Sequence, residues 1–159
     1  MALLLRTVRE NRWYKAEAAP WLERGDVPAD PLADLPTKEN RLSVFEVAAD
    51  RSNVERIVRA VAVGKDKIAD SGYVLFTSEM LEAAGIALEA IAGTTADAQA
   101  NDWHRDLVEL SGNKLVRLTK SILENGESGT VLKKRLRELV EEGIRDKQLL
   151  PERVRVKLG

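Results

Sequence analysis

Residues 94–125 read TTADAQANDWHRDLVELSGNKLVRLTKSILEN. At roughly 100° per residue, Trp103, Leu107, Leu110, Leu115, Leu118 and Ile122 fall in one broad sector. Asp106, Glu109, Asn113, Arg117 and Lys120 fall opposite. The spacing predicts one amphipathic helix of about six turns, against which the rest of the domain packs. Gly112 lies inside it, so either a neighbour approaches closely there or Ser111-Gly112-Asn113 divides the helix; a single helix is the favoured expectation.

Outward from this stretch, Gly126 ends the helix and a second one is expected from about 130 to 146, with Leu132, Leu136, Leu139 and Val140 inward. Towards the N-terminus, the apolar run at 2–7 reads as a buried strand. Residues 41–48 alternate, Leu42, Val44 and Val47 against Ser43 and Glu46, and read as a second strand. Ser52 or Asn53 caps a helix carrying Val54, Ile57, Val58, Val61 and Ala62 on one face, closed by Gly64. The sequence YVLF at 73–76 is a compact strand, followed by a short helix capped at Thr77 or Ser78 and ended by Gly85. Residues 86–91 give a weaker strand signal, and 154–158 alternate like an edge strand whose Arg and Lys discourage further pairing. Three of the five prolines lie at 25–37, an irregular loop. The expected fold is therefore α+β in one domain over 1–159, a small mixed β-sheet packed against a C-terminal helix pair spanning about 96–147.

A chain of 159 residues, 44% hydrophobic and 32% charged, has the composition of a globular protein rather than a disordered one. It has no cysteine, which excludes disulfides, thiolate metal sites and thiol nucleophiles. The apolar start before Arg6 is too short for a signal-peptide core or a membrane span, so the expectation is a soluble cytoplasmic protein. Net charge is −1 but uneven: residues 113–159 hold twelve Lys or Arg against seven Asp or Glu, so the remainder is acidic. Such a split steers a partner or pairs within the fold.

Arg6, Arg9, Arg12 and Lys15 surround Trp13 and Tyr14, and Trp21 follows Pro20. Interleaved bases and aromatics suit a nucleobase-stacking surface, and equally suit edge packing under arginine stems. The cluster Lys133-Lys134-Arg135 with Arg137 is the second basic candidate, although Glu138, Glu141 and Glu142 follow at pairing distance on a helix. His104-Arg105-Asp106-Leu107 matches the start of a kinase catalytic loop, but Ser111 stands where its asparagine belongs, and no glycine-rich phosphate loop accompanies it. His104 is the only histidine, which rules out two-histidine zinc sites. Asp97, Asp102, Asp106 and Glu109 point in different directions, so no metal and no cofactor is expected. Phosphate-loop, dinucleotide, nucleophile-elbow and zinc-protease signatures are missing.

These features favour a non-catalytic interaction or accessory module of a bacterial-type cytoplasmic assembly, acting by self-association or on a partner subunit. Its contact residues would be Arg12, Trp13, Tyr14, Trp21, Lys133, Lys134 and Arg137. One alternative is a nucleic-acid binder using the basic residues of 6–15 and 133–137. Another is a small enzyme or ligand-binding protein with a pocket near Trp103, His104, Arg105 and Asp106.

Overall fold

A computed structural model of the chain describes residues 1–14 and 19–157. Six strands form one sheet: β1 (Leu3–Val8), β2 (Leu42–Val47), β3 (Ser71–Thr77), β4 (Ala87–Ala90), β5 (His104–Val108) and β6 (Glu127–Val131). Their spatial order is β4-β5-β2-β1-β3-β6, and every neighbouring pair is antiparallel. The α+β class holds, with a purely antiparallel sheet in place of the mixed one expected. Six α-helices accompany it among the described residues: α1 (Ala29–Leu32), α2 (Val54–Ala62), α3 (Ser78–Ala83), α4 (Ala98–Trp103), α5 (Gly112–Asn125) and α6 (Lys133–Arg145).

Side chains alternate across a strand, and the register sorts them into two cores. Leu5 sits opposite Phe45 on one side and Leu75 on the other. These three face α2 and α6, where Ile57, Val58, Leu136 and Val140 complete a first cluster. Leu4, Val44, Val74, Phe76 and Leu107 face the other way and meet Leu81 of α3 and Leu118 and Ile122 of α5. The C-terminal helix pair is thus split by the sheet, α5 covering one face and α6 the other.

The single long helix is not formed. Residues 98–103 are helical, 104–108 are a strand between β2 and β4, and helix resumes at Gly112. The leucine spacing fits both readings at Leu107, which is fully buried in the strand as it would be in a helix. Two sheet neighbours supply the backbone of 104–108 with partners, and this tertiary pairing overrides the local helical period. Glu109, at φ 54°, turns the chain in the left-handed region. Ser111 then caps α5, its hydroxyl accepting the Lys114 N–H at 3.2 Å. A Cβ on Gly112 would touch nothing within 4 Å, so no close neighbour explains that glycine.

Three further expectations change. Residues 127–131 form the edge strand β6, and α6 starts only at Lys133, leaving Leu132 exposed rather than inward. The proline-rich loop contains α1, with Pro31 and Leu35 buried. Residues 154–157 form no ladder: the Arg155 and Val156 N–H groups both donate to the Val63 carbonyl, and Lys157 makes an isolated bridge to Lys67. Leu158, also in that expected strand, lies outside the described residues.

One buried ionic node ties the first face together. Asp97, with 0% exposure, caps α4 by accepting the Gln99 and Ala100 N–H groups at 3.0 and 3.2 Å. It also accepts two bonds from Arg56, at 2.7 and 3.0 Å, and one from Arg59 at 3.2 Å. Arg59, 3% exposed, reaches on to the Leu139 carbonyl of α6 and to Gln148. Burial by itself raises the Asp97 carboxyl. The Arg56 hydrogen bond, the Ala100 N–H, the Arg56 charge and an Arg59 hydrogen bond outweigh it and hold the group below its ordinary value.

Candidate functional site

The N-terminal basic–aromatic segment is gathered by one carboxylate. Asp34 accepts the Arg9 backbone N–H at 3.0 Å, the Arg12 guanidinium at 3.1 Å and the Trp13 indole N–H at 3.0 Å. Trp13 packs on the second core cluster, and Tyr14 is half-buried. Trp21 stands in solvent at 68% exposure. Trp103 joins the first cluster on the opposite face, 5.9 Å under the Arg56 guanidinium. The three tryptophans therefore do not meet. Lys15 lies outside the described residues.

Strand alternation also separates the four residues around His104. Arg105 turns to the second face, where it pairs with Glu46 at 3.0 Å. His104 and Asp106 share the first face. The His104 ring meets Phe45 edge-on at 5.3 Å, and its Nδ1 lies 2.7 Å from the Ile91 carbonyl. Its Nε2 lies 3.6 Å from Asp106, which accepts from Arg41 Nε at 3.0 Å; Arg41 in turn pairs with Glu89 at 2.8 Å. Ser43 stands opposite Asp106 in the ladder, which sets serine, histidine and aspartate on one face. They form no nucleophilic triad: Nδ1 is held by a backbone carbonyl, and no hydrogen bond joins Ser43 to His104.

Beside His104 a cleft of about 650 Å³ opens over β1 and β2. Val61 and the edge of Phe45 contribute apolar surface above the buried Leu5, and Ser43, Arg153 and Arg155 are among its polar lining. Arg155 reaches a second cleft of about 480 Å³, lined by Lys67, Lys133, Arg137, Arg155 and Lys157, with Asp66 the single acid among the described residues and Ile68 between. None of these five cations forms an ion pair among the described residues. Asp70 accepts the Lys133 backbone N–H at 2.7 Å and fixes the start of α6 at the rim.

Of the basic cluster read from the sequence, Lys133 and Arg137 enter this cleft. Lys134 is exposed and does not line it. Arg135 is committed to Glu55 and Glu138, and its hydrogen bond to Glu55 raises its pKa. Lys67, Arg155 and Lys157 were missed. The alternation of Val154-Arg155-Val156-Lys157 was the available signal, since it sends both cations to one side of that segment.

Among the described residues, no group of three His, Asp or Glu side chains is placed to hold a metal ion, and no helix is long and apolar enough to cross a membrane. No family model matches the chain, and no curated protein or solved structure is significantly similar to it.

Proposed function

We propose that the protein is a non-catalytic interaction module of a bacterial-type cytoplasmic assembly, and that it recognises an acidic segment of a partner protein in the basic cleft. The observation that carries this reading is the convergence of Lys67, Lys133, Arg137, Arg155 and Lys157 on one concavity, with Asp66 the only acid on its lining among the described residues and Asp70 at its rim. Five like charges gathered without partners repel one another, and the repulsion is relieved when carboxylates enter. Such a cleft speeds encounter and selects for opposite charge.

A nucleic acid also presents anions, but base stacking needs aromatic faces. Among the described residues, no aromatic side chain lines the basic cleft. Of the cations beside an aromatic, Arg12 near Trp13 is spent on Asp34 and Arg56 over Trp103 is spent on Asp97. The cations of α6 are also interleaved with Glu138, Glu141 and Glu142, which repel a continuous phosphate backbone.

Fluorescence anisotropy with a labelled oligoglutamate peptide tests the reading, beside single-stranded and duplex DNA of similar length. The peptide is expected to bind at low salt and to be released as salt rises. Lys133→Ala with Arg137→Ala is expected to weaken it by about 2- to 30-fold, the range for two exposed ion pairs. An unbound peptide, or DNA held more tightly than peptide at equal salt, overturns the proposal. Light scattering distinguishes a homo-oligomer, in which the acidic segment belongs to a second copy, from a separate partner subunit.

A further inference from the structure

We infer that the cleft beside His104 is a binding site for a small organic anion with an apolar ring or chain, separate from the basic cleft except for Arg155, which borders both. Its volume, about 650 Å³, lies within the range of small-molecule sites. Its surface is divided. Val61 and the edge of Phe45 offer an apolar bed, with Leu5 buried beneath it. Arg153 and Arg155, both exposed, supply positive charge, with Glu152 the one carboxylate on the lining among the described residues. Arg153 makes only a long 3.5 Å bond to the Thr95 carbonyl, which leaves most of its fork of donors for a ligand. Arg6 also borders the space, but its guanidinium donates to the Ser43 and Asp34 carbonyls.

His104 makes this bed rigid. The Nδ1 contact to Ile91 and the edge-on packing with Phe45 hold the ring, 8% exposed, in one orientation at the wall. An apolar body laid on Phe45 and Val61 with its carboxylate at Arg153 would satisfy both halves of the cleft. A bare inorganic anion would leave the apolar half wet, and a neutral analogue would leave the arginine without a partner.

His104 is the chain's only histidine, so its ring protons give a uniquely assigned NMR signal. The test is a titration of the intact protein with benzoate, compared with benzyl alcohol and with inorganic phosphate. Benzoate is expected to shift the His104 resonances saturably, and the two controls to bind at least about 10-fold more weakly, the scale of one charge-assisted contact. Arg153→Ala, an exposed change that spares the fold, is expected to weaken benzoate by about 10-fold. Gly64→Phe is expected to block the cleft, because Gly64 lines it and a Cβ there would meet only the Val61 carbonyl at 3.5 Å. Lys133→Ala is expected to leave benzoate binding unchanged. No saturable shift with benzoate, equal binding of benzyl alcohol or of phosphate, or an Arg153→Ala protein that binds as the parent does, each overturns the inference.

Discussion

Replacing Asp97 with alanine should be among the most damaging single changes available to this fold. The carboxylate is wholly buried and accepts five hydrogen bonds. Arg56 keeps a quarter of its side chain in solvent and can rehydrate once released. Arg59 cannot, because its side chain is 4% exposed and its Nε is already buried without a partner. The variant therefore strands a guanidinium charge that retains only Leu139 and Gln148 as acceptors. Removing one member of a buried pair costs about 3–5 kcal/mol, within which the lost α4 cap accounts for about 1 kcal/mol. A domain has about 5–15 kcal/mol in total, so the variant should fold marginally. Urea unfolding followed by tryptophan fluorescence measures the loss. Adding Arg59→Met to Asp97→Ala should restore part of it, because the stranded charge goes too. A single-variant cost below about 1 kcal/mol, or a double variant weaker than the single, would refute the account of an uncompensated charge.

The same node makes a pH prediction. The folded Asp97 carboxyl titrates below its ordinary value, so its contribution is complete above the unfolded pKa of about 3.9 and is lost as pH falls through the lower folded value. Circular dichroism against pH should show an acid transition in that window that flattens in Asp97→Asn. Gly143→Ala would place a Cβ 2.8 Å from Arg59 Nη1 and 2.9 Å from Leu149 Cδ1, and should cost about 1–3 kcal/mol in chemical denaturation. Gly112→Ala meets open space and should instead gain about 0.5 kcal/mol. Ser111→Ala removes the α5 cap and should lower stability by about 1 kcal/mol in the same assay.

The sequence was most legible where one signal acted alone. The apolar runs at 2–7 and 73–76 and the alternation at 41–48 are short and carry one period each, and β1, β2 and β3 lie close to where they are expected. The helix of Val54 and Ile57 shows the same clarity. Legibility failed where two periods coincided. Trp103, Leu107, Leu110 and Leu115 are spaced for a helix, and nothing local announces that β2 and β4 will claim 104–108. Ser111 and Gly112 carried the correct warning, a cap followed by a flexible residue. Asp97 reads in the sequence only as one of several scattered carboxylates, because a helix running straight through the segment gives it nothing to cap. The basic cleft was half visible: Lys133 and Arg137 sit on one helix, but Lys67, Arg155 and Lys157 join them only through chain closure.

The innermost position of β1 has a consequence of its own. Leu3–Val8 lies between β2 and β3 and, among the described residues, is the strand that joins the β4-β5-β2 part of the sheet to the β3-β6 part. Its partners across the ladder reach Thr77, so the first residues of the chain wait for segments dozens of positions later before any central pairing closes. Until then β2 and β3 each display a raw, apolar backbone edge, the kind of template on which chains aggregate. Damage to these six residues would convert one continuous sheet into two sticky halves, and insolubility would precede any loss of binding.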